Sequence, residues 1–379
     1  MTGFEFAAFE FATATRIVFG AGVFAQLESI AAGMGQRPLI VTGRQARVPV
    51  AGAVFSIAKE PTIDLVREGV RAFRDAGCDM VIAIGGGSAI DAGKAIAAAA
   101  ANGGDLLDYL EVIGKGQPLE SAPYPLLAVP TTAGTGSEVT RNAVLGSPEH
   151  GVKVSLRSLT MLPKIAIVDP QLTLGLPAAI TASTGLDALT QLIEPFVCAR
   201  PNPLVDSICR DGMRRAAECL PRAFRNGEDA EARAGMSYAS LLGGMALANA
   251  GLGVVHGFAA PIGGMFDAPH GAICAAVLPA GMRANIAALR ERNPPGEGLA
   301  RYGEVARILT RNADATPEDG AEWIGRLTKQ LAIPPLSAYG IKASDAPELA
   351  AKAARANSMK ANPIALSPAE LTAVLEHSL

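Results

Sequence analysis

The residues of this chain best placed to do chemistry are two histidines, a carboxylate and an amide. Asp187 and Gln191 stand four apart in GLDALTQLIE, so a helix would set both on one face. His256 and His270 lie in GLGVVHGFAAPIGGMFDAPHG, and His150 and His377 are the only other histidines. Any step that needs an imidazole must draw on these four. Pro261, Gly263, Gly264 and Pro269 argue against one unbroken helix across His256 and His270. Alone, each histidine reads as a core or interface residue. If the two converge with Asp187 and Gln191, their nitrogen and oxygen donors suit Fe(II) or Zn(II) better than Mg(II) or Ca(II).

A second group of residues suits an oxygen-rich ligand. AIGGGSAIDAGKAIA (83–97) places Gly85, Gly86, Gly87 and Ser88 between a buried strand and a helix. Glycine lets backbone amides approach a phosphate, and the helix N-terminus adds partial positive charge. Ser88 is expected to cap that helix and to donate to a phosphate oxygen. Lys94 is too far along for a Walker loop. VPTTAGTGSEVT (129–140) again follows a strand and gathers Thr131, Thr132, Gly134, Thr135, Gly136, Ser137 and Thr140. Ordinary turns need one or two such residues. Two such loops at the carboxyl ends of parallel strands point to a dinucleotide.

Those loops need a sheet to carry them. Strands are expected at 16–20, 38–43, 79–87, 124–132 and 164–170, alternating with helical runs such as TIDLVREGVRAFRDAG. That alternation indicates βαβ units and a largely parallel sheet. From about residue 176 only helical periodicities remain. The expectation is an α/β dinucleotide-binding domain with a Rossmann-like parallel sheet over 1–175, and an all-α domain over 176–379 holding the metal and substrate residues.

Composition narrows the class. The 379 residues are 49% hydrophobic and 18% charged, with a net charge of −3, so a large core is expected and disorder is not. No Lys/Arg cluster marks a nucleic-acid footprint. Five cysteines without a CxxC pair fit free thiols in a reducing cytoplasm. Glu5 and Glu10 interrupt the N-terminus where a signal peptide would be apolar. No run approaches about 18 uncharged apolar residues, so a cytoplasmic protein is expected.

Five ordered stretches, IGGGSAIDAGKA, VPTTAGTGSEVT, KIAIVDPQLTLGLP, GLDALTQLIE and VVHGFAAPIGGMFDAPHG, resemble the iron-containing (group III) alcohol dehydrogenase family. That family includes maleylacetate reductase and glycerol dehydrogenase-like branches. The resemblance runs from about residue 15 to 280, with a compatible helical tail. It implies a dehydroquinate synthase-like two-domain architecture and a homodimer of such chains. It also implies NAD(P)-dependent interconversion of a small alcohol and a carbonyl compound in the cleft between domains.

Carried over position by position, the resemblance places Gly86, Gly87 and Ser88 at the pyrophosphate, with Asp91 just inside the following helix. Thr131, Thr132, Ser137 and Thr140 fall in the second nucleotide loop, and Lys153 against the cofactor. Asp187, His256 and His270 match three metal ligands. The fourth ligand position, histidine in metal-dependent members, is Gln191, and Ala260 stands where many members carry another histidine near the nicotinamide.

Two mechanisms follow. In one, a divalent metal (Fe or Zn) is held by Asp187, His256, His270 and a weak or water-bridged Gln191. In the other, as in maleylacetate reductases, the metal is gone, His256 or His270 donates the proton, and Gln191 orients the substrate. Gly43 and Arg44 end the 38–43 strand where NAD-preferring members often carry an aspartate on the ribose diol. Without that carboxylate, NADP(H) is expected to be accepted. The competing classes are a dehydroquinate synthase-like lyase and a degenerate nucleotide-binding protein.

Overall fold

The computed structural model describes residues 8–43, 49–293 and 296–379. Its larger sheet contains β1 (Arg16–Phe19), β2 (Pro38–Thr42), β3 (Ala53–Ser56), β4 (Met80–Gly85), β5 (Leu126–Pro130) and, after a hairpin of β6 (Asn142–Ser147) and β7 (Val152–Arg157), β8 (Ile165–Val168). The order across the sheet is β1-β8-β5-β4-β2-β3, and every pairing is parallel. Strands β2 and β5 are buried along their whole length, which is why they read as continuous apolar runs. Alternate side chains serve opposite faces. Leu39, Val41, Val81 and Ala83 pack under α2 (Ile63–Asp75) and α3 (Gly87–Ala101), while Ile40, Ile82 and Ile84 pack with Leu27 and Ile30 of α1 (Leu27–Ala31).

Five of the six strands of that sheet lie within the expected segments. Strand β3 escaped because AVFS offers only two inward residues at a sheet edge. The β6–β7 hairpin also escaped; it is antiparallel, stands apart from the main sheet and turns at Gly151 with φ +60°. Its short, polar-interrupted alternation hides between two stronger strands.

No strand follows β8 among the described residues. The second half is a helical bundle: α4 (Ala178–Val197), α5 (Pro203–Arg225), α6 (Ala230–Asn249), α7 (Val254–Met265), α8 (His270–Arg292) and further helices between Glu297 and Glu376. Every residue of α4 from Gly185 to Val197 is buried, so this helix is the axis of the bundle. The chain breaks between α7 and α8 at Phe266–Pro269, although α7 itself runs on through Pro261, Gly263 and Gly264. Helix α8 has the length and apolarity of a membrane span, yet 78% of that stretch is buried inside the protein.

Candidate active site

Three helices bring the expected donors together. Asp187 on α4, His256 in the first turn of α7 and His270 at the first residue of α8 converge, because the α7–α8 break turns the chain back on itself. Asp187 Oδ1 lies 3.6 Å from His256 Nε2 and 3.6 Å from His270 Nε2. Cys274, one turn into α8, joins them: one donor atom from each of the four residues lies within 4.8 Å of the others. Asp187, His256 and Cys274 are buried, and the side chain of His270 is 35% exposed, so the group opens on that side.

The unsatisfied atoms point to what the group holds. Among the described residues, Asp187 Oδ1 and His256 Nε2 are buried without a hydrogen-bond partner. Buried polar atoms are rarely left so, because each costs about 1–3 kcal/mol. Two such atoms facing each other beyond hydrogen-bonding distance fit a cation between them. The residues therefore fit a divalent metal. Gln191 donates its amide nitrogen to Asp187 Oδ2 at 3.2 Å, while its Oε1 is also buried and unpartnered. Behind the group, His256 Nδ1 meets Glu194 Oε2 at 2.6 Å.

The charges agree. Burial alone would press the His256 pKa down, but Cys274, Asp187 and Glu194 overcome it and hold it well above the usual imidazole range. Burial opposes His270 in the same way, and Cys274 and Asp187 raise it to about 9. Burial would raise the Asp187 carboxyl; His270 and His256 reverse this and leave it below its ordinary value. A field that favours positive charge on both rings is one that attracts a cation.

The nucleotide loops leave the sheet side by side, since Gly85 at the end of β4 pairs with Pro130 at the end of β5. The turn after β4 is tighter than expected. Gly86 is the N-cap, Gly87 and Ser88 already belong to α3, and the Ser88 side chain does not cap the helix. The first N–H groups of α3 lack intrahelical acceptors and remain available to an anion. In the second loop Thr131 and Thr132 are part-exposed. Asp91, Ser137 and Thr140 instead spend polar groups within the protein: Ser137 Oγ and Val144 N–H donate to Asp91, and Thr140 Oγ1 donates to the Ser137 carbonyl.

Lys94 ties this together. Fully buried, it donates to the Ser137 carbonyl and Thr140 Oγ1, each at 3.0 Å, and pairs with Asp91 at 3.0 Å. Burial lowers its pKa, and burial raises that of nearby Glu138 to about 7. Lys153 on β7 forms an ion pair with Glu60 and reaches α7, where a Cβ at Gly263 would stand 2.7 Å from its Nζ. Gly43 follows directly on β2, and among the described residues nothing lies within 4 Å of where a Cβ would stand; Arg44 lies outside the described residues.

Loop and donor group adjoin. A Cβ at Gly134 would stand 2.7 Å from Thr184 Cβ, and Thr184 is one turn before Asp187 on α4. A Cβ at Gly271, next to His270, would stand 2.8 Å from the Ser183 carbonyl. The other two histidines lie elsewhere: His150 bonds Ser147 in the hairpin, and His377 bonds the Ala373 carbonyl near the last residue. Sequence reasoning missed Glu194 and Cys274. The signal for Cys274 was its i+4 spacing from His270, and for Glu194 its place seven residues after Asp187 on the same helix.

A parallel nucleotide-binding sheet, joined to a helical bundle that holds a cation-ready donor group beside the nucleotide loop, defines a two-domain dehydrogenase. Residues 14–170 match the family model for iron-containing alcohol dehydrogenase, and residues 181–379 match that of the family's C-terminal region. The chain is 37% identical over 352 residues to 1,3-propanediol dehydrogenase of Citrobacter freundii, covering 87% of this chain and 88% of that one. It is 37% identical over 357 residues to 4-hydroxybutyrate dehydrogenase of Cupriavidus necator, covering 92% and 90%. Among solved structures, 1,3-propanediol oxidoreductase superposes with a TM-score of 0.89 at 33% identity, covering 98% of this chain and 100% of that one. The chain belongs to the iron-containing alcohol dehydrogenase family. It is an NAD(P)-dependent oxidoreductase that interconverts an alcohol and an aldehyde or ketone, which removes the lyase and the non-catalytic binding protein from consideration.

Proposed function

We propose that this dehydrogenase is metal-assisted, with Asp187, His256 and His270 holding a divalent cation beside the nicotinamide. The facing, unpartnered Asp187 Oδ1 and His256 Nε2 carry this reading. The cation supplies Lewis acidity to the substrate oxygen during hydride transfer. Glu194 fixes the His256 ring, and Gln191 fixes Asp187 through Oδ2. The substrate, a small alcohol or carbonyl compound, enters on the exposed side of His270. Ala260 offers no proton-carrying group there.

The opening turn of α3, with Gly86, Gly87 and Ser88, takes the pyrophosphate. Thr131 and Thr132 contribute hydroxyls, and Lys153 lies along the cofactor. Asp91, Ser137 and Thr140 act by shaping the second loop. The lack of a side-chain carboxylate at Gly43 favours acceptance of NADP(H). Two copies pair along the outer edge of β1, which lies at the margin of the sheet and ends in the exposed Phe19. Five buried free cysteines suit the reducing cytoplasm.

Metal analysis of the purified enzyme, with activity followed through chelation and reloading by Fe(II) or Zn(II), tests the central reading. Chelation should abolish turnover and reloading should restore it; full activity in a rigorously metal-free sample would sink the reading. In the same assay, a kcat/KM for NADH far above that for NADPH would contradict the reading of Gly43.

A further inference from the structure

The fourth donor of this site is the remaining question of its chemistry, and the geometry answers it with a residue from another helix. We infer that Cys274 Sγ completes the cation site, and that Gln191 acts on Asp187 instead of serving as a donor. This rests on the metal-assisted reading above.

His270 and Cys274 are four apart on α8, so both side chains leave the helix on one face. Cys274 Sγ lies 3.7 Å from His270 Nε2 and is completely buried. A tetrahedral ion with bonds of about 2.0–2.3 Å sets its donors about 3.3–3.8 Å apart. The separations here are 3.6 Å for each imidazole from Asp187 Oδ1 and 3.7 Å for the thiol from His270. The other three donor pairs lie within 4.8 Å, so the group tightens as it closes on an ion.

Cys274 does not stand alone in pointing inward. Asp187 Oδ1 and His256 Nε2, each on a residue more than nine-tenths buried, are unpartnered and face the same space. Gln191 is turned otherwise. Its nitrogen donates to Asp187 Oδ2, and its oxygen lies on the α6 side, 3.5 Å from where a Cβ at Gly243 would stand. Between a neutral amide oxygen and a thiolate, a borderline-soft divalent ion prefers sulfur. The Asp-His-His-Cys set carries one more negative charge than Asp-His-His-Gln and favours Zn(II) or Co(II) over harder ions.

The test uses the full chain, stripped by chelator and titrated with Co(II). One Co(II) per chain should bind and show a near-ultraviolet thiolate-to-metal band. Cys274→Ala should lose that band and bind Co(II) at least tenfold more weakly, while Gln191→Leu should keep the band. The four other cysteines lie outside the cluster and serve as internal controls. X-ray absorption of the Zn(II)-loaded, unsubstituted protein gives an independent reading that needs no variant to fold. It should show one sulfur at about 2.3 Å beside nitrogen and oxygen at about 2.0–2.1 Å. Stoichiometric binding with neither the band nor the sulfur would overturn the assignment of Cys274 and leave the metal reading standing. Failure of the unsubstituted protein to bind either ion would overturn both.

Discussion

Glu194 Oε2 stands 2.6 Å from His256 Nδ1, on the opposite side of the ring from the nitrogen that faces Asp187. Its other oxygen accepts the Val255 N–H at 2.7 Å, so both oxygens are fixed. A carboxylate placed so commits Nδ1 to donating and leaves the Nε2 lone pair for a cation.

Glu194→Gln keeps the shape and removes the charge. Metal affinity should fall about 10–100-fold, with turnover recovered in part by excess metal. Chelator competition measures the first and saturation kinetics the second. An affinity equal to that of the unsubstituted enzyme would reduce Glu194 to a packing residue.

The histidines give the site a pH dependence of known sign. His270 has its pKa raised to about 9 from an ordinary 6.5. In metal-free protein the stability it contributes is full below pH 6.5 and is lost as pH rises through about 9. The melting temperature of that form should fall across this range, and His270→Asn should flatten the slope. Metal affinity should run the other way, rising with pH as each imidazole gives up its proton to the ion. A competition titration at several pH values checks it, and a flat profile would be contrary.

Lys94→Met should loosen the nucleotide loop from α3. It removes the cation that Asp91, the Ser137 carbonyl and Thr140 share, at a cost of about 3–5 kcal/mol for a broken buried pair. Urea denaturation should show that loss, and NADPH binding by fluorescence should weaken in the fraction that remains folded. Unchanged nucleotide affinity would show that the loop holds its shape without the lysine.

What could be read in the sequence was what local spacing encodes. The five strands show as apolar runs, the two loops as clusters of glycine and hydroxyl, and Asp187, His256 and His270 as rare polar residues in apolar surroundings. Convergence was not encoded locally. Cys274 lies in AICAAVLP, where a thiol looks like any small core residue, and only the turn between α7 and α8 brings it to Asp187. Glu194 has no mark in LIEPFV until α7 is known to pass beside it. Lys94 is an ordinary helical lysine in sequence; its burial depends on the second loop folding over it. Ser88 misled because the glycines before it allowed the helix to begin two residues early, with Gly86 as its N-cap.

Gly136 and Gly244 give the cleft its scale. At Gly136, φ is +57°, and a Cβ there would stand 2.4 Å from Gly244 Cα, so the nucleotide loop and α6 meet main chain to main chain. The preceding residue, Gly243, faces Gln191 on α4, the helix of Asp187. Two adjacent glycines thus act as a gauge block, with the second glycine-rich loop on one side and the helix of Asp187 on the other. On the loop side no rotamer lies in the stack, and on the α4 side only the Gln191 side chain does. The spacing between the second loop and α4 is therefore set largely by main chain, and a single methyl group at Gly244 would put it out of true.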